Sequence, residues 1–151
     1  MDNKKQIVEE LGVLFERFKR TPMEGRVLAY LLVSDPPYQT FDNIREFLGA
    51  SKSSVSTALN FFQREGTVDY KTFSGDRKRY FMINIYGWNK KLIETTKGLT
   101  TFNTLLEKVI DFRFRGKENS DEFSTKLKEV LKFQKYINEE LLKAIERYNP
   151  D

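Results

Sequence analysis

Apolar residues recur at helical spacing along most of this chain, and a short central stretch breaks the pattern. Near the start, spacings of four, three and four predict an amphipathic helix that ends near Arg20. Its apolar positions are Ile7, Leu11, Leu14 and Phe18. A second helix is predicted from Pro22, which suits a first turn, to the residues before Ser34. Because this second segment is apolar on nearly every side, we expect it to be buried in the centre of the fold.

Two longer helices are predicted in the second half, from Asn89 to about Phe114 and from Ser120 or Asp121 to about Tyr148. Residues 115–119, with the sequence RGKEN, predict a turn between them and therefore an antiparallel pair. Their apolar stripes contain Leu92, Leu99, Phe102, Leu106, Val109, Ile110, Phe123, Leu127, Val130, Leu131, Ile137, Leu141 and Ile145. One subunit cannot easily cover these stripes, so pairing with the N-terminal helix and with a second subunit is predicted. An intramolecular three-helix bundle is the alternative.

Two short helices joined by a tight turn are predicted in the middle of the chain. Thr40 can cap the first helix, and Gly49 supplies a left-handed stop after it. Ser51 can cap the second helix, which is then expected to begin at Lys52. The apolar stripes of the two helices are Phe41, Ile44, Phe47 and Leu48, and Val55, Ala58, Leu59 and Phe62. This arrangement is typical of a helix-turn-helix, whose second helix enters the major groove of DNA.

The face of the second short helix opposite its apolar stripe is polar and made of small side chains. It carries Ser53, Thr57, Asn60 and Arg64, with Ser54 and Ser56 beside them. Serine and threonine lower helix propensity, so a role other than helix stability is indicated. Small hydrogen-bonding side chains can approach base edges and phosphates without steric conflict. The alternative interpretation is a serine-rich first turn that only caps the helix well.

A β-hairpin is predicted after these helices, from Thr67 to Phe73 and from Arg79 to Ile85, because both segments are rich in strand-forming residues. Residues 74–76, Ser-Gly-Asp, have turn chemistry. Three cations, Arg77, Lys78 and Arg79, follow at the tip. Such a basic hairpin can reach the minor groove or the flanking phosphates of DNA. A hairpin whose charge only keeps the protein soluble is the alternative.

Composition and charge exclude several classes of protein. The 151 residues contain no cysteine and no histidine. Disulfides, thiolate metal sites, catalytic triads and the usual general base are therefore excluded, and no glycine spacing matches a phosphate-binding loop. We expect no enzyme, no cofactor and no metal. Apolar runs are too short to cross a membrane and the N-terminus lacks a signal-peptide core, which predicts a cytoplasmic protein with no membrane partner.

The net charge is only +4, and its distribution matters more than its size. Basic residues exceed acidic ones within residues 51–79, while charges nearly cancel in the C-terminal stretch from Lys117. The excess therefore falls on the helix and hairpin predicted to contact DNA. The predicted DNA-binding residues are Ser51, Lys52, Ser53, Ser54, Ser56, Thr57, Asn60, Arg64, Arg77, Lys78 and Arg79.

Residues 22–86 resemble the winged-helix domain of MarR-type transcription regulators, and most of all the GbsR-like branch. The resemblance lies in the helix start Gly25-Arg26, the segment SKSSVSTAL at residues 51–59 and the segment GDRK at residues 75–78. It implies a homodimeric DNA-binding regulator, usually a repressor, whose terminal helices form the dimer interface. It also implies that residues 51–57 enter the major groove and that residues 77–79 form the tip of the wing.

Two further points follow from this resemblance. Many relatives have Asp-x-Arg in the wing, whereas Asp76-Arg77-Lys78 has lysine in the last place, so either Arg77 or Arg79 is expected to take the place of that arginine in the minor groove. The branch is associated by name with glycine betaine, which implies a quaternary-ammonium effector held by an aromatic cage. The aromatic candidates are Tyr30, Tyr38, Phe41, Tyr86, Trp88 and Phe102, although core packing explains aromatics at helical spacing more simply.

The sequence thus predicts a mainly α protein with a small β-hairpin, a winged helix-turn-helix flanked by dimerisation helices. The predicted regions are an N-terminal dimerisation helix at 1–20, a DNA-binding domain at 21–86 and a helical dimerisation region at 87–151. The predicted function is a dimeric, sequence-specific transcription regulator, a repressor, that binds pseudo-palindromic double-stranded DNA and is released by a small-molecule effector. Its recognition helix, residues 51–65, is predicted to lie in the major groove, and its wing, residues 74–79, at the minor groove or the phosphates. A winged-helix protein-interaction module without DNA binding is the first alternative, and a small-molecule-binding or catalytic protein is the second.

Overall fold

The computed structural model describes residues 3–115 and 121–148, in which six helices and three strands follow one another along the chain. They are α1 Asn3–Arg17, α2 Pro22–Val33, β1 Gln39–Thr40, α3 Phe41–Leu48, α4 Lys52–Glu65, β2 Val68–Lys71, β3 Tyr80–Ile83, α5 Ile85–Phe114 and α6 Glu122–Tyr148. The chain divides into a first unit, Met1–Trp88, and a second unit, Asn89–Asp151. Of the turn predicted at 115–119, residues 116–119 lie outside the described residues, as does the helix start considered at Ser120. None of the described helices is long and apolar enough to span a lipid bilayer.

The core of the first unit forms around α2, as the sequence predicts. Five consecutive residues of α2, from Val27 to Leu31, are buried. The predicted stripe of α4 is buried with them, since Val55, Ala58, Leu59 and Phe62 are all at most 2% exposed. Burial on this scale fixes the orientation of α4, because rotating the helix would expose its stripe to water.

The local signals that end and begin α3 and α4 are confirmed. The Thr40 hydroxyl accepts a hydrogen bond from the backbone N–H of Asn43 at 3.2 Å, and Gly49 has a φ of +60°. The Ser51 hydroxyl accepts from the backbone N–H of Ser54 at 3.2 Å, so α4 begins at Lys52. These bonds satisfy donors that the first turn of each helix leaves without a partner.

The sheet has three antiparallel strands in the order β1-β3-β2, whereas the sequence predicts only a hairpin. In the hairpin, Val68 pairs with Ile83 and Tyr70 with Phe81. The unpredicted strand β1 pairs Gln39 with Phe81 on the other edge of β3. With two residues, β1 is too short to show the alternation by which strands are recognised.

Several predicted boundaries are wrong. Helix α5 begins at Ile85, four residues before the predicted Asn89, because the Asn84 side chain accepts a hydrogen bond from the backbone N–H of Gly87 at 2.8 Å and starts the helix there. The second strand therefore stops at Ile83. Helix α1 ends at Arg17 rather than near Arg20, because Lys19 takes a left-handed conformation with a φ of +66°.

Close packing joins α1 to α2 through the Gly25-Arg26 helix start. A Cβ at Gly25 would lie 2.7 Å from the carbonyl oxygen of Gly12, so the two helices approach each other at backbone distance. The Arg26 guanidinium then donates to the carboxylates of Glu9 and Glu16, and these bonds raise the pKa of Arg26. Helix α1 is thus attached to the first unit at several points along its length.

In the second unit, α5 and α6 pack as an antiparallel pair, as predicted. Asn138 Nδ2 donates to Thr100 Oγ1 at 2.7 Å, and Arg113 Nε donates to Ser124 Oγ at 2.8 Å. The buried positions of the pair recur every seven residues at Thr96, Asn103, Ile110, Ser124, Leu131 and Asn138. Other large apolar side chains of these helices are exposed: Leu92, Leu99, Phe102, Leu105, Val109, Phe112, Phe123, Val130, Phe133, Tyr136, Ile137, Leu141 and Tyr148.

Candidate nucleic-acid interface

The outward face of α4 carries the polar residues that the sequence singles out. Because the apolar stripe of α4 is buried, Lys52, Ser53, Ser56, Thr57, Asn60 and Arg64 are exposed. The side chains of Thr57, Asn60, Gln63 and Arg64 line one open groove along the last turns of the helix. Gln63 is missing from the predicted residues, although it directly precedes Arg64 and lies one turn after Asn60. The helix therefore presents hydroxyl, amide and guanidinium groups together.

The serines at the start of α4 are partly engaged with one another. The Ser51 and Ser54 hydroxyl oxygens are 2.7 Å apart, and those of Ser51 and Ser53 are 3.1 Å apart. Since Ser51 also accepts the N–H of Ser54, the capping interpretation of this first turn is correct for these two residues. Capping does not account for Thr57 or Asn60, which lie further along the helix.

The loop between β2 and β3, residues 72–79, is called the wing below. Asp76 lies in this loop and is held by two hydrogen bonds. Asp76 accepts hydrogen bonds from the Tyr80 hydroxyl at 2.6 Å and from the backbone N–H of Lys78 at 2.8 Å. The hydrogen bond from Tyr80, followed by that from Lys78, lowers the pKa of Asp76, and the same contact raises the pKa of Tyr80. The Asp76 carboxylate is therefore ionised at neutral pH and holds the turn of the wing in shape.

An aromatic cluster supports the base of the wing. The ring of Tyr80 packs edge-on against Phe73, with centroids 4.9 Å apart, and both rings contact Tyr38. The Lys71 ammonium lies 3.5 Å from the centre of the Tyr38 ring. Tyr38 directly precedes β1. The pairing of β1 with β3 therefore brings the Tyr38 ring to the wing.

The three wing cations have different surroundings. The Arg79 guanidinium lies 4.6 Å from the centre of the Tyr70 ring. Within residues 3–115 and 121–148, the exposed side chains of Arg77 and Lys78 make no hydrogen bond and no ion pair within 4 Å. All three line a recess with Thr40 and Phe41 at the start of α3. Since Asp76 is engaged by Tyr80, it does not pair with a wing arginine.

The aromatic residues considered for an effector cage serve other contacts. Tyr30 is 5% exposed and stacks on Phe47, with centroids 4.4 Å apart. Tyr38 belongs to the wing cluster, where Lys71 already supplies a cation. Phe41 packs against the core, Tyr86 is 87% exposed, Trp88 contacts Phe15, and Phe102 of the second unit is half exposed. In the first unit the candidates are thus divided among separate contacts.

Comparisons with known proteins agree on the fold. No family model matches the sequence. The HTH-type transcriptional regulator MmpR5 of Mycobacterium tuberculosis (strain ATCC 25618 / H37Rv) is 26% identical over 144 residues, which cover 95% of this chain and 86% of that protein. A crystal structure of a transcriptional regulator aligns over 97% of this chain and 98% of its own, with a TM-score of 0.68 and 24% identity. The crystal structure of an S. aureus MepR-DNA complex aligns over 85% of this chain and 87% of its own chain, with a TM-score of 0.44 and 19% identity. The similarity at a TM-score of 0.68 establishes the fold as a winged helix-turn-helix with flanking helices.

Proposed function

We propose that this chain is a dimeric, sequence-specific DNA-binding transcription regulator that acts as a repressor. The observation that carries the proposal is the outward face of α4, whose small polar side chains project from a helix that the core holds in one orientation. The same unit carries the wing, in which Asp76 neutralises no arginine. MmpR5, which is similar along nearly the whole chain, is named an HTH-type transcriptional regulator.

In the proposed complex, α4 lies in the major groove. The Thr57 hydroxyl and the Asn60 amide are suited to base edges, because an amide can form paired hydrogen bonds with adenine. Lys52 and Arg64, at opposite ends of the helix, are suited to phosphates. The Ser51, Ser53, Ser54 and Ser56 hydroxyls remain in the proposed interface, although the Ser51 hydroxyl also caps the helix by accepting the backbone N–H of Ser54. The Asn60–Ser56 hydrogen bond is 3.4 Å long and would be exchanged easily for one to DNA.

The proposed dimer uses the terminal helices of two copies. Phe102, Phe112, Phe133 and Tyr136 are each at least 52% exposed, and large apolar side chains exposed in this number are suited to an association site. Helix α1 adds Val13 and Leu14, and Phe18 follows directly after it; all three side chains are exposed. In this proposal residues 1–20 and 87–151 serve dimerisation, and residues 21–86 bind DNA. A twofold axis would set the two α4 helices about 34 Å apart, one turn of DNA.

The experiment that tests the proposal is selection of DNA from a random library by the purified chain. We expect a pseudo-palindromic sequence, bound by two chains, because a symmetric dimer reads two half-sites. The affinity should fall steeply with salt, since log K falls by about 0.9 per tenfold salt for each phosphate contact. A library from which no sequence is enriched, or binding that is independent of salt, would contradict the proposal.

Within the wing, we assign the minor-groove contact to Arg77. Both arginines are exposed, but Arg79 is stacked on Tyr70, whereas Arg77 makes no ring contact among the described residues. The planar guanidinium of Arg77 is therefore available to the narrow groove that attracts it. Arg77→Ala should weaken binding to the selected DNA by about tenfold to 100-fold, the usual range for a specific contact of 1–3 kcal/mol. Fluorescence anisotropy at one salt concentration measures this loss.

The matched controls for Arg77 are Lys78→Ala and Arg77→Lys. Lys78→Ala removes the same charge from the neighbouring residue and should weaken DNA binding less than Arg77→Ala does. Arg77→Lys keeps the charge but loses the planar guanidinium. Equal losses for Arg77→Ala and Lys78→Ala would show that the wing contributes charge alone.

The proposal includes no effector cage, because Tyr30, Tyr38 and Trp88 are engaged in separate contacts and Tyr86 is 87% exposed, so these aromatic side chains do not form one cluster. Assignment to the GbsR-like branch stays a prediction from the segments Gly25-Arg26, SKSSVSTAL and GDRK. A cytoplasmic location is part of the proposal, since a bacterial-type DNA regulator acts where the DNA is.

A further inference from the structure

We propose that Arg20 is a positioning residue for the recognition helix α4, and this inference rests on the function proposed above. Arg20 lies in the turn between α1 and α2, outside every segment assigned to DNA contact. Its side chain binds Glu65, the last residue of α4. Both residues belong to the first unit, so the contact links one end of α4 to the end of α1.

The contact is specific in its geometry. Arg20 Nη2 lies 3.0 Å from Glu65 Oε1 and 2.9 Å from Glu65 Oε2. The Thr67 hydroxyl donates to the same Oε2 at 3.2 Å. The two charged side chains are only 24% and 17% exposed, so water screens them less than an ordinary surface pair.

Aromatic contacts hold the guanidinium from the side. Arg20 Cζ lies 5.0 Å from the centre of the Phe61 ring and 5.5 Å from that of Phe62. Phe62 is fully buried in the core. Arg20 therefore contacts three residues at the C-terminal end of α4, two through their rings and one through its carboxylate.

The backbone before Arg20 directs it towards α4. Lys19 adopts a left-handed conformation, and the backbone N–H of Arg20 donates to the carbonyl oxygen of Phe15 at 3.2 Å. A lysine in this region is uncommon, since side chains with a Cβ disfavour it. The turn is thus closed by a hydrogen bond that fixes where the Arg20 side chain begins.

The position of this contact explains how it can act on DNA binding. Helix α4 has 14 residues and is therefore about 20 Å long, so a tilt of about 10° at one end moves the other by about 3 Å. Base contacts tolerate much smaller displacements. The guanidinium charge is itself balanced by Glu65, which argues against a role for Arg20 as a phosphate ligand.

The test compares Arg20→Ala with Arg17→Ala, using the DNA sequence selected by the wild type. Arg17 is exposed at the end of α1 and, among the described residues, makes no hydrogen bond or ion pair. We expect Arg20→Ala to reduce affinity for the selected sequence by about tenfold, within the range of measured couplings between contacting residues. Affinity for unrelated DNA and the salt dependence should not change. Arg17 shares the proposed dimerisation segment 1–20 with Arg20, so light scattering must show that both variants remain dimers. Arg17→Ala should then leave the ratio of specific to non-specific affinity unchanged.

A double-mutant cycle with Glu65→Ala identifies the partner. The losses caused by Arg20→Ala and Glu65→Ala should not add, because each variant breaks the same contact. Additive losses would overturn the inference. If Arg20→Ala does not fold, Arg20→Lys replaces it in the test, because it keeps the charge but loses the planar group. Arg20→Lys should lower the ratio of specific to non-specific affinity by about threefold.

The remaining outcomes separate this inference from the proposed function. A melting temperature lowered by Arg20→Ala with an unchanged affinity ratio would make Arg20 a purely structural residue. A salt slope reduced by about one would make it a phosphate ligand, and both results overturn the positioning role. If the wild type selects no DNA, the proposed function and the positioning role fail together, whereas a binding wild type with an unaffected variant overturns the positioning role alone.

Discussion

Thr57→Glu is expected to weaken binding to the selected DNA by at least about 100-fold, because placing like charges against one another costs several kcal/mol. Thr57 is exposed in the middle of the outward face of α4, between Ser53 and Asn60. A carboxylate at this position would face the phosphates and the acceptor groups of base edges. The fold should be unaffected, since glutamate favours helices more than threonine does.

The matched control for this change is Thr57→Gln, which has the size of glutamate without its charge. We expect Thr57→Gln to lose far less affinity, because an amide can donate to the same base edges. Anisotropy measures both affinities, while circular dichroism and light scattering verify that fold and dimer are retained. Comparable losses for the two variants would indicate steric exclusion, and full binding by Thr57→Glu would remove α4 from the interface.

Gly87→Ala is expected to destabilise the first unit by about 3 kcal/mol, at the upper end of the usual cost of overpacking. Gly87 lies in the first turn of α5, and a Cβ there would meet the carbonyl oxygen of Gly66 well inside van der Waals distance. Gly66 ends α4 in a left-handed conformation with a φ of +77°. The two backbones can therefore approach this closely only if residue 87 has no side chain.

Gly98→Ala is the control for Gly87→Ala, because it makes the same substitution in the same helix. Nothing lies within 4 Å of a Cβ at Gly98, so alanine should stabilise the helix by about 0.5–1 kcal/mol. Midpoints of urea denaturation, followed by circular dichroism, should move in opposite directions for the two variants. A Gly87→Ala protein as stable as the wild type would show that the two turns can separate at little cost.

The parts of the fold that were predicted correctly depend on neighbouring residues. Thr40, Gly49 and Ser51 act on backbone groups within four residues, so their capping roles follow from sequence position. The stripe from Val55 to Phe62 follows from helical geometry in the same way. The start of α5 was missed, because Asn84 both caps that helix and donates its backbone N–H to Thr67 across the hairpin.

The parts of the candidate site that were not predicted depend on residues far apart in the chain. The sequence left open which wing arginine enters the minor groove. The Tyr80–Asp76 and Arg79–Tyr70 contacts, which favour Arg77, join residues that no local pattern relates. Similarly, Arg20 and Glu65 are separated by 45 residues and have no shared motif. No periodicity in the chain could have identified that pair.

By itself, the sequence determined which residues form helices, which faces of those helices are apolar and where the basic hairpin lies. These features follow from side-chain spacing and from capping bonds a few residues long. Only the tertiary structure decided that β1 completes the sheet, that Asp76 is bound by Tyr80, and that Arg20 holds the end of α4. Each of these contacts forms when packing of the core brings separate segments together, so its partners are selected by the three-dimensional fold and not by their distance along the chain.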